Sequence, residues 1–366
     1  MGPTIVMVLI LFMAAIRLHT LVWSALESKD FHPQHGLFLT HPHHLREIPT
    51  TATRDVVFQW DGTKDLNSPT DIARVWPFAP DNHPWCQLTP QASSPPQHGL
   101  IYIKIDKASS STLAGINIRL AHRIGARVSH NQDTTSCAHT YEHFHAWPRL
   151  STGHDASQPT TLLWTFLREP AQRALSQYFH FLVSRQGYGA TYMLLHNFLE
   201  KSKNFQLQYV MVPSTAAAAT NANLNLTKLL HEVFDDTQTQ QTTSLAFLDH
   251  FVMQQYNFIG LVERMEESLA VMKLLWNLEV GDLIVLSAKQ SGGYDDGRHQ
   301  NTCVKIVKPD DYFHRDPKGQ QLYDRIQTYV EVDYRHNNLD YQLYQAVNAS
   351  LDMTIDQLGR DVVDQT

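Results

Sequence analysis

The sequence predicts an α/β domain in three layers, a mostly parallel sheet with helices on both faces. Short apolar runs alternate with stretches of helical periodicity, which is the pattern of strands joined by crossover helices. The longest of these runs, 160–167 (TTLLWTFL), is continuous rather than alternating, as suits a strand buried on both faces. The size agrees: 366 residues with 43% apolar and 18% charged side chains can bury a large core and fit neither a disordered nor a fibrous chain.

At the N-terminus, residues 4–16 (TIVMVLILFMAAI) match the apolar core of a signal peptide, and read on through Arg17 and His19 to Leu26 they are just long enough to span a bilayer. A signal anchor over 1–26 is expected, with a cleaved signal peptide as the alternative. Neither an A-x-A-like cleavage site nor a preceding Lys or Arg stands out. Both readings place the remaining chain in an oxidising compartment, where Cys86, Cys137 and Cys303 allow one disulfide and one spare thiol, in any pairing. The acceptor triplets at Asn225 and Asn348 fit the same compartment. Residues 27–99 are rich in His and Pro and close in QASSPPQHG, which reads as a stem, with the main domain over 100–366.

The main domain opens with Ile101, Ile103 and Ile105 alternating with Tyr102 and Lys104 as in a strand, followed by Leu113, Ile116 and Leu120 at helical spacing. Residues 126–129 (ARVS) offer a short strand, and 139–145 are rich in His. After the strand at 160–167, REPAQRALSQYFHFLVSR reads as a helix with Pro170 at its first position. Two further strands are expected at 258–264 and 282–287, separated by a helix over 265–278. Residues 190–255 read as helices broken at 214–225, and 317–350 as a terminal helical segment.

The chemistry gathers between the first strand and its helix. A loop that opens a helix after a parallel strand presents free amide N–H groups and the positive end of the helix dipole, so its natural guest is an anion such as phosphate. Lys107 is followed by Ala108 and then by Ser109, Ser110, Ser111 and Thr112, whose hydroxyls can donate alongside the amides. The glycine-rich P-loop pattern is not met, because Lys107 precedes the hydroxyl run and no Gly occurs before Gly115. Plain helix capping is the competing reading of such a run. A second element is Arg168 at the end of the buried strand, with Ser176 eight residues on in the following helix. An Arg at a strand's carboxyl end and a Ser beyond it could hold a second phosphate on the same sheet edge, which suggests a nucleotide with phosphates at both ends.

Together, Lys107-Ala-Ser-Ser-Ser-Thr112 and Arg168-Glu-Pro…Arg173…Ser176 resemble the 5′-phosphosulfate and 3′-phosphate motifs of the Golgi carbohydrate sulfotransferases, notably the uronyl 2-O and heparan 6-O types. The resemblance implies a P-loop-like nucleotide-binding fold, type II membrane topology and the co-substrate 3′-phosphoadenosine 5′-phosphosulfate (PAPS). Lys107, Ala108 and Ser109 to Thr112 would cradle the phosphosulfate, and Arg168 and Ser176 the 3′-phosphate. A late loop carrying Lys289, Gly292 and Gly293 would close over the nucleotide. Asp106, immediately before Lys107, departs from the family pattern and is unexpected beside an anion site.

Sulfuryl transfer to a hydroxyl needs a stabilised leaving oxygen, a task for Lys107, and a general base. The segment 139–145 offers His143 first, His139 second and Glu142 third. The acceptor implied is a glycan; Arg119, Arg123 and Arg127, four residues apart, could attract an acidic one. A net charge of −7 and a pI near 6.3 argue against a general nucleic-acid binder. No metal is required by this chemistry. Two rivals follow from the same residues. His139-x-x-Glu142-His143 satisfies the inverted zinc-peptidase pattern, with Cys137 or a further Glu as another ligand. Alternatively the chain is a glycan-binding relative that has lost transfer, which the departure at Asp106 leaves open.

Overall fold

The computed structural model describes residues 66–81, 83–86, 99–128, 137–140, 161–211, 240–284, 293–294 and 304–366. At its centre lie four parallel strands, β1 (Gly99–Tyr102), β2 (His139–Thr140), β3 (Thr161–Leu167) and β4 (Phe258–Leu261), in the order β2-β1-β3-β4. Every residue of β1, β3 and β4 is buried, so both faces of the sheet are covered. The helices are α1 (Ser110–Val128), α2 (Pro170–Tyr178, continued by a π-helical stretch Phe179–Arg185), α3 (Tyr192–Lys201), α4 (Phe205–Val210), α5 (Gln240–Leu248) and α6 (Met265–Leu275). Toward the C-terminus follow a two-stranded antiparallel pair, β5 (Gly293–Tyr294) with β6 (Val304–Lys305), and α7 (Pro309–Phe313), α8 (Pro317–Tyr329), α9 (Leu339–Leu358) and α10 (Arg360–Asp364).

The strands are locked by side chains as well as by the ladder. The Thr165 hydroxyl donates to the carbonyl of Ile103 at 2.7 Å, and the Ile103 amide to that of Trp164 at 3.0 Å, so β1 stays paired past Tyr102. Trp164 Nε1 donates to the Asn117 side chain of α1 at 2.9 Å, which satisfies two polar groups deep in the core. Gly99 has φ +96°, and a Cβ on it would lie 2.2 Å from the carbonyl oxygen of Ala138, so only glycine lets β1 start this close to β2. A separate apolar cluster joins α2 and α3 to α7, α8 and Tyr341 of α9.

The segment 66–86 departs from the stem reading. Leu66, Ile72, Trp76 and Trp85 are buried in the main core. The Arg74 and Trp76 amides donate to Ser350 Oγ and Thr354 Oγ1 of α9, each at 3.0 Å, and Cys86 forms a disulfide with Cys137. Two tryptophans of this size belong to a core rather than a solvated stem. Of the three cysteines, Cys303 lies outside the described residues, as do the expected signal segment 1–26 and the triplet at Asn225. Among the described residues no helix is long and apolar enough to cross a membrane. Asn348 lies inside α9, where it accepts from Arg264 at 2.9 Å, so it is no surface-loop glycan acceptor.

Two expected strands are not found among the described residues of their segments. Ala126 to Val128 form the last turn of α1, whose buried stripe Leu113, Ile116, Leu120 and Ile124 simply continues. Asp282 ends a 3₁₀ turn, Val280–Asp282, and Leu283 and Ile284 are not in a strand; 285–287 lie outside the described residues. The cause is also a correction to the proposed basic stripe. Arg123 Nε donates to Asp282 at 2.6 Å and its Nη2 to Glu279 at 2.8 Å, while Arg127 Nη2 donates to Asp282 at 2.7 Å. Arg119 donates to the carbonyl of Ile284. The three arginines fasten the turn to α1 and are engaged within the fold.

Burial alone would raise the Asp282 carboxyl, but hydrogen bonds from Arg127, the Glu279 amide and Arg123 hold it below the usual range. Its contribution is therefore present above the ordinary aspartate value and lost as pH falls through the lower folded value. We expect Asp282→Asn to cost about 2 kcal/mol at neutral pH, between the exposed and buried ion-pair cases. Urea unfolding should show this gap steady from neutral pH downward and narrowing once pH falls below 3.8.

Candidate functional site

In a parallel sheet the strands end at one edge, and the crevice for ligands opens where successive connections leave in opposite directions. Here that point lies between β1 and β3. The chain passes from β1 to β2 on one side and from β3 to β4 on the other. The turn 106–109 follows β1 and Arg168 follows β3, so sequence order alone brings the two candidate segments to the same crevice.

The turn is held in an unusual backbone. Lys107 has φ +65° and Ser109 φ +54°, while Ala108 between them is not left-handed. Each non-glycine residue in that region costs roughly 1–2 kcal/mol. Alternating hand also turns successive amide N–H groups toward a common concavity, the arrangement of an anion-binding nest. Helix α1 starts at Ser110, adding the positive end of a 19-residue helix. Lys107, Ser109, Ser110 and Thr112 are half-buried, Ser111 is exposed and Ala108 is buried beneath them.

Arg168 joins this turn to β3. Its Nη1 donates to the Lys107 carbonyl at 3.2 Å, which fixes the strained residue through the main chain. Its Nε is buried and makes no hydrogen bond among the described residues. Glu263 lies 3.9 Å from that nitrogen. Burial pushes the guanidinium's pKa down, with Glu263, Glu169 and Asp310 acting against it. Glu169 caps α2 by accepting from the Gln172 amide at 2.6 Å and also takes the Tyr341 hydroxyl, so its charge is engaged locally.

Behind Arg168 lies a support that nothing in the sequence marks. The Gln206 side chain accepts from the Arg168 amide at 2.9 Å and donates to the Arg168 carbonyl at 2.7 Å. The Gln206 and Leu207 amides in turn donate to the buried carboxylate of Asp340, at 3.0 and 2.8 Å. Burial pushes Asp340 up to about 6. Arg173, quoted in the family motif but given no role of its own, is fully buried one helical turn into α2.

The other candidates divide. Ser176 sits half-buried in the second turn of α2. His139 stands in register with Leu100, six residues before Asp106, with its Nδ1 2.9 Å from the Cys137 carbonyl oxygen and its ring 5.9 Å from that of His122. It therefore lies partway along the sheet rather than at the crevice mouth. Gly293 lies in β5, paired with Lys305. Glu142, His143, Lys289 and Gly292 lie outside the described residues. The zinc reading loses one named ligand, because the Cys137 thiol is consumed by its disulfide with Cys86.

The crevice thus offers a nest of amides, a lysine, a run of hydroxyls and an arginine with a spare donor, a set suited to a polyanion carried at a sheet edge. No curated protein and no solved structure matches the chain significantly. The profile of one family, described as the sulfotransferase family, matches residues 93–344, which span β1 to the first turns of α9 and include both segments of the crevice. The match takes in well over half of the sequence, and the chain belongs to the sulfotransferase family, enzymes that transfer sulfuryl groups.

Proposed function

We propose that this enzyme transfers the sulfuryl group of PAPS to a hydroxyl of a carbohydrate acceptor, as a luminal Golgi protein held by an N-terminal signal anchor. The observation that carries the reading is the junction of Arg168 with Lys107, where one guanidinium fixes the strained turn and keeps a buried donor unused. The disulfide between Cys86 and Cys137 and the apolar run 4–16 support an oxidising compartment. The resemblance to uronyl 2-O and heparan 6-O enzymes supports a glycan acceptor.

PAPS supplies an activated sulfuryl group and a phosphate leaving group. The nest amides and the hydroxyls of Ser109 to Thr112 bind the phosphosulfate end. Arg168 and Ser176 bind the 3′-phosphate. Lys107 sets a point charge where negative charge accumulates on the leaving oxygen, so its effect falls on turnover more than on binding. His143 is the first choice for the base that takes the acceptor proton, followed by Glu142, because His139 lies partway along the sheet. The family resemblance supports Lys289, Gly292 and Gly293 as further candidates for contacts to the nucleotide.

Adding adenosine 3′,5′-bisphosphate (PAP) to the full-length chain at about a hundred times its Kd should stabilise it by about 2.7 kcal/mol, read as a raised Tm, while ATP and EDTA leave Tm unchanged. Arg168→Ala should abolish that response; a full response in Arg168→Ala would remove Arg168 from the donor site. In turnover assays with sulfate-labelled PAPS and a panel of glycosaminoglycans, Lys107→Ala should lower kcat about 10²–10³-fold with little change in Kd for PAP. His143→Ala should lower kcat about 10²–10⁴-fold and remove the acidic limb of the pH–rate profile. Retention of that limb would move the base to Glu142.

A further inference from the structure

The end of β4 lies beside the end of β3, with Leu261 in register with Leu167, so the residues that follow the two strands open onto the same side of the crevice. Arg168 follows β3, and Glu263 sits in the 3₁₀ turn Val262–Arg264 that follows β4. A Glu263 oxygen lies 3.9 Å from Arg168 Nε, an ion-pair distance but too long for a hydrogen bond, and the two side chains are only 26% and 28% exposed. Both oxygens of Glu263 are tied elsewhere. One accepts the Glu169 amide at 3.0 Å and the other the Tyr344 hydroxyl at 3.1 Å, so the carboxylate is pinned. The adjacent cation gives it no partner, because Arg264 donates to Glu267 at 2.6 Å and pairs with Asp352 at 2.7 Å. Among the carboxylates that act on the Arg168 guanidinium, Glu263 acts most strongly, ahead of Glu169 and Asp310.

We propose that Glu263 sets the affinity of the donor site: its pinned carboxylate partly neutralises Arg168 and opposes the phosphate that Arg168 receives. This inference rests on the reading of the crevice as the donor site, with the 3′-phosphate at Arg168. A phosphate drawn to Arg168 comes close to Glu263, and like charges in a partly buried corner repel. Held by a backbone amide and a phenol, Glu263 cannot swing away without giving up both bonds. PAPS and spent PAP carry the same 3′-phosphate, so the repulsion weakens both alike. It lowers affinity for the donor and speeds release of the product, a step that limits turnover in many enzymes. An acidic residue that merely buttressed Arg168 would act with the opposite sign, since its loss would loosen the nucleotide.

The test is calorimetric titration of PAP, and of adenosine 5′-phosphate (AMP), which lacks the 3′-phosphate, into the full-length wild type and Glu263→Gln, with Tm recorded without ligand for each. Glutamine keeps an acceptor for the Glu169 amide, and its NH₂ can donate to the Tyr344 hydroxyl, so the change removes charge and little else. Glu263→Gln should bind PAP about fivefold more tightly and AMP with unchanged affinity, because the lost charge faces the 3′-phosphate alone. Unchanged or weaker PAP binding overturns the proposal, and so does an equal tightening of both nucleotides. If Glu263→Gln does not fold, Glu263→Ala should still raise the ratio of PAP to AMP affinity, and an unchanged ratio overturns the proposal. Should the wild type itself ignore both nucleotides, the donor-site reading fails, and inorganic sulfate then decides. Sulfate should raise Tm more in Glu263→Gln than in the wild type, and an equal rise overturns the proposal.

Discussion

The crevice depends on one carboxylate that has no access to water. Asp340, near the start of α9, replaces its lost hydration with the amides of Gln206 and Leu207. Those amides open α4, and the Gln206 side chain then clasps both backbone groups of Arg168. Arg168 completes the relay by holding the Lys107 carbonyl. Each link satisfies a buried polar group that would otherwise cost about 1–3 kcal/mol, so no link can be removed without leaving a partner stranded. The relay has few alternative arrangements, which makes it a rigid support for a loop that is itself strained.

That strain explains why support is concentrated here. A glycine-rich phosphate loop reaches left-handed conformations at little steric cost, whereas this turn places Lys107 and Ser109 there. The opposing penalty has to be met by neighbours, and Arg168 is the neighbour that touches the turn directly. The basic residues of α1 make the contrast. Arg123 and Arg127 spend their charge on Asp282 and Glu279, so the positive charge at the crevice comes from Lys107 and Arg168 together with the helix terminus rather than from a cationic stripe.

Local features of this architecture were legible in the sequence. The buried strand at 161–167, the Pro-started helix after it and the hydroxyl-rich turn all rest on periodicity and residue chemistry over a dozen positions, and these elements form where expected. Most of the misreadings share a cause in distance. Residues 282–284 look like the start of a strand until Asp282 is seen to serve Arg123 and Arg127, some 155 residues earlier. Ile72 and Trp76 look like scattered residues of a stem until α9 is in place to receive that segment. Gln206 and Asp340 carry no motif at all, since their roles arise from pairings 38 and 134 residues apart. Arg173 was visible as a letter in a family pattern, but its burial against Phe205 was not.

Those separations also set an order in time. During synthesis β1, α1, β3 and Arg168 emerge long before Asp340, and Trp76 emerges 278 residues before the threonine that receives its amide. Contacts this distant in sequence close late and slowly. The turn at 106–109 is thus among the first parts made and the last to acquire its final support. Until the closing helix arrives, Trp76 lacks the partner that completes its site, and transiently exposed apolar surface of this kind is what makes unfinished chains prone to aggregate.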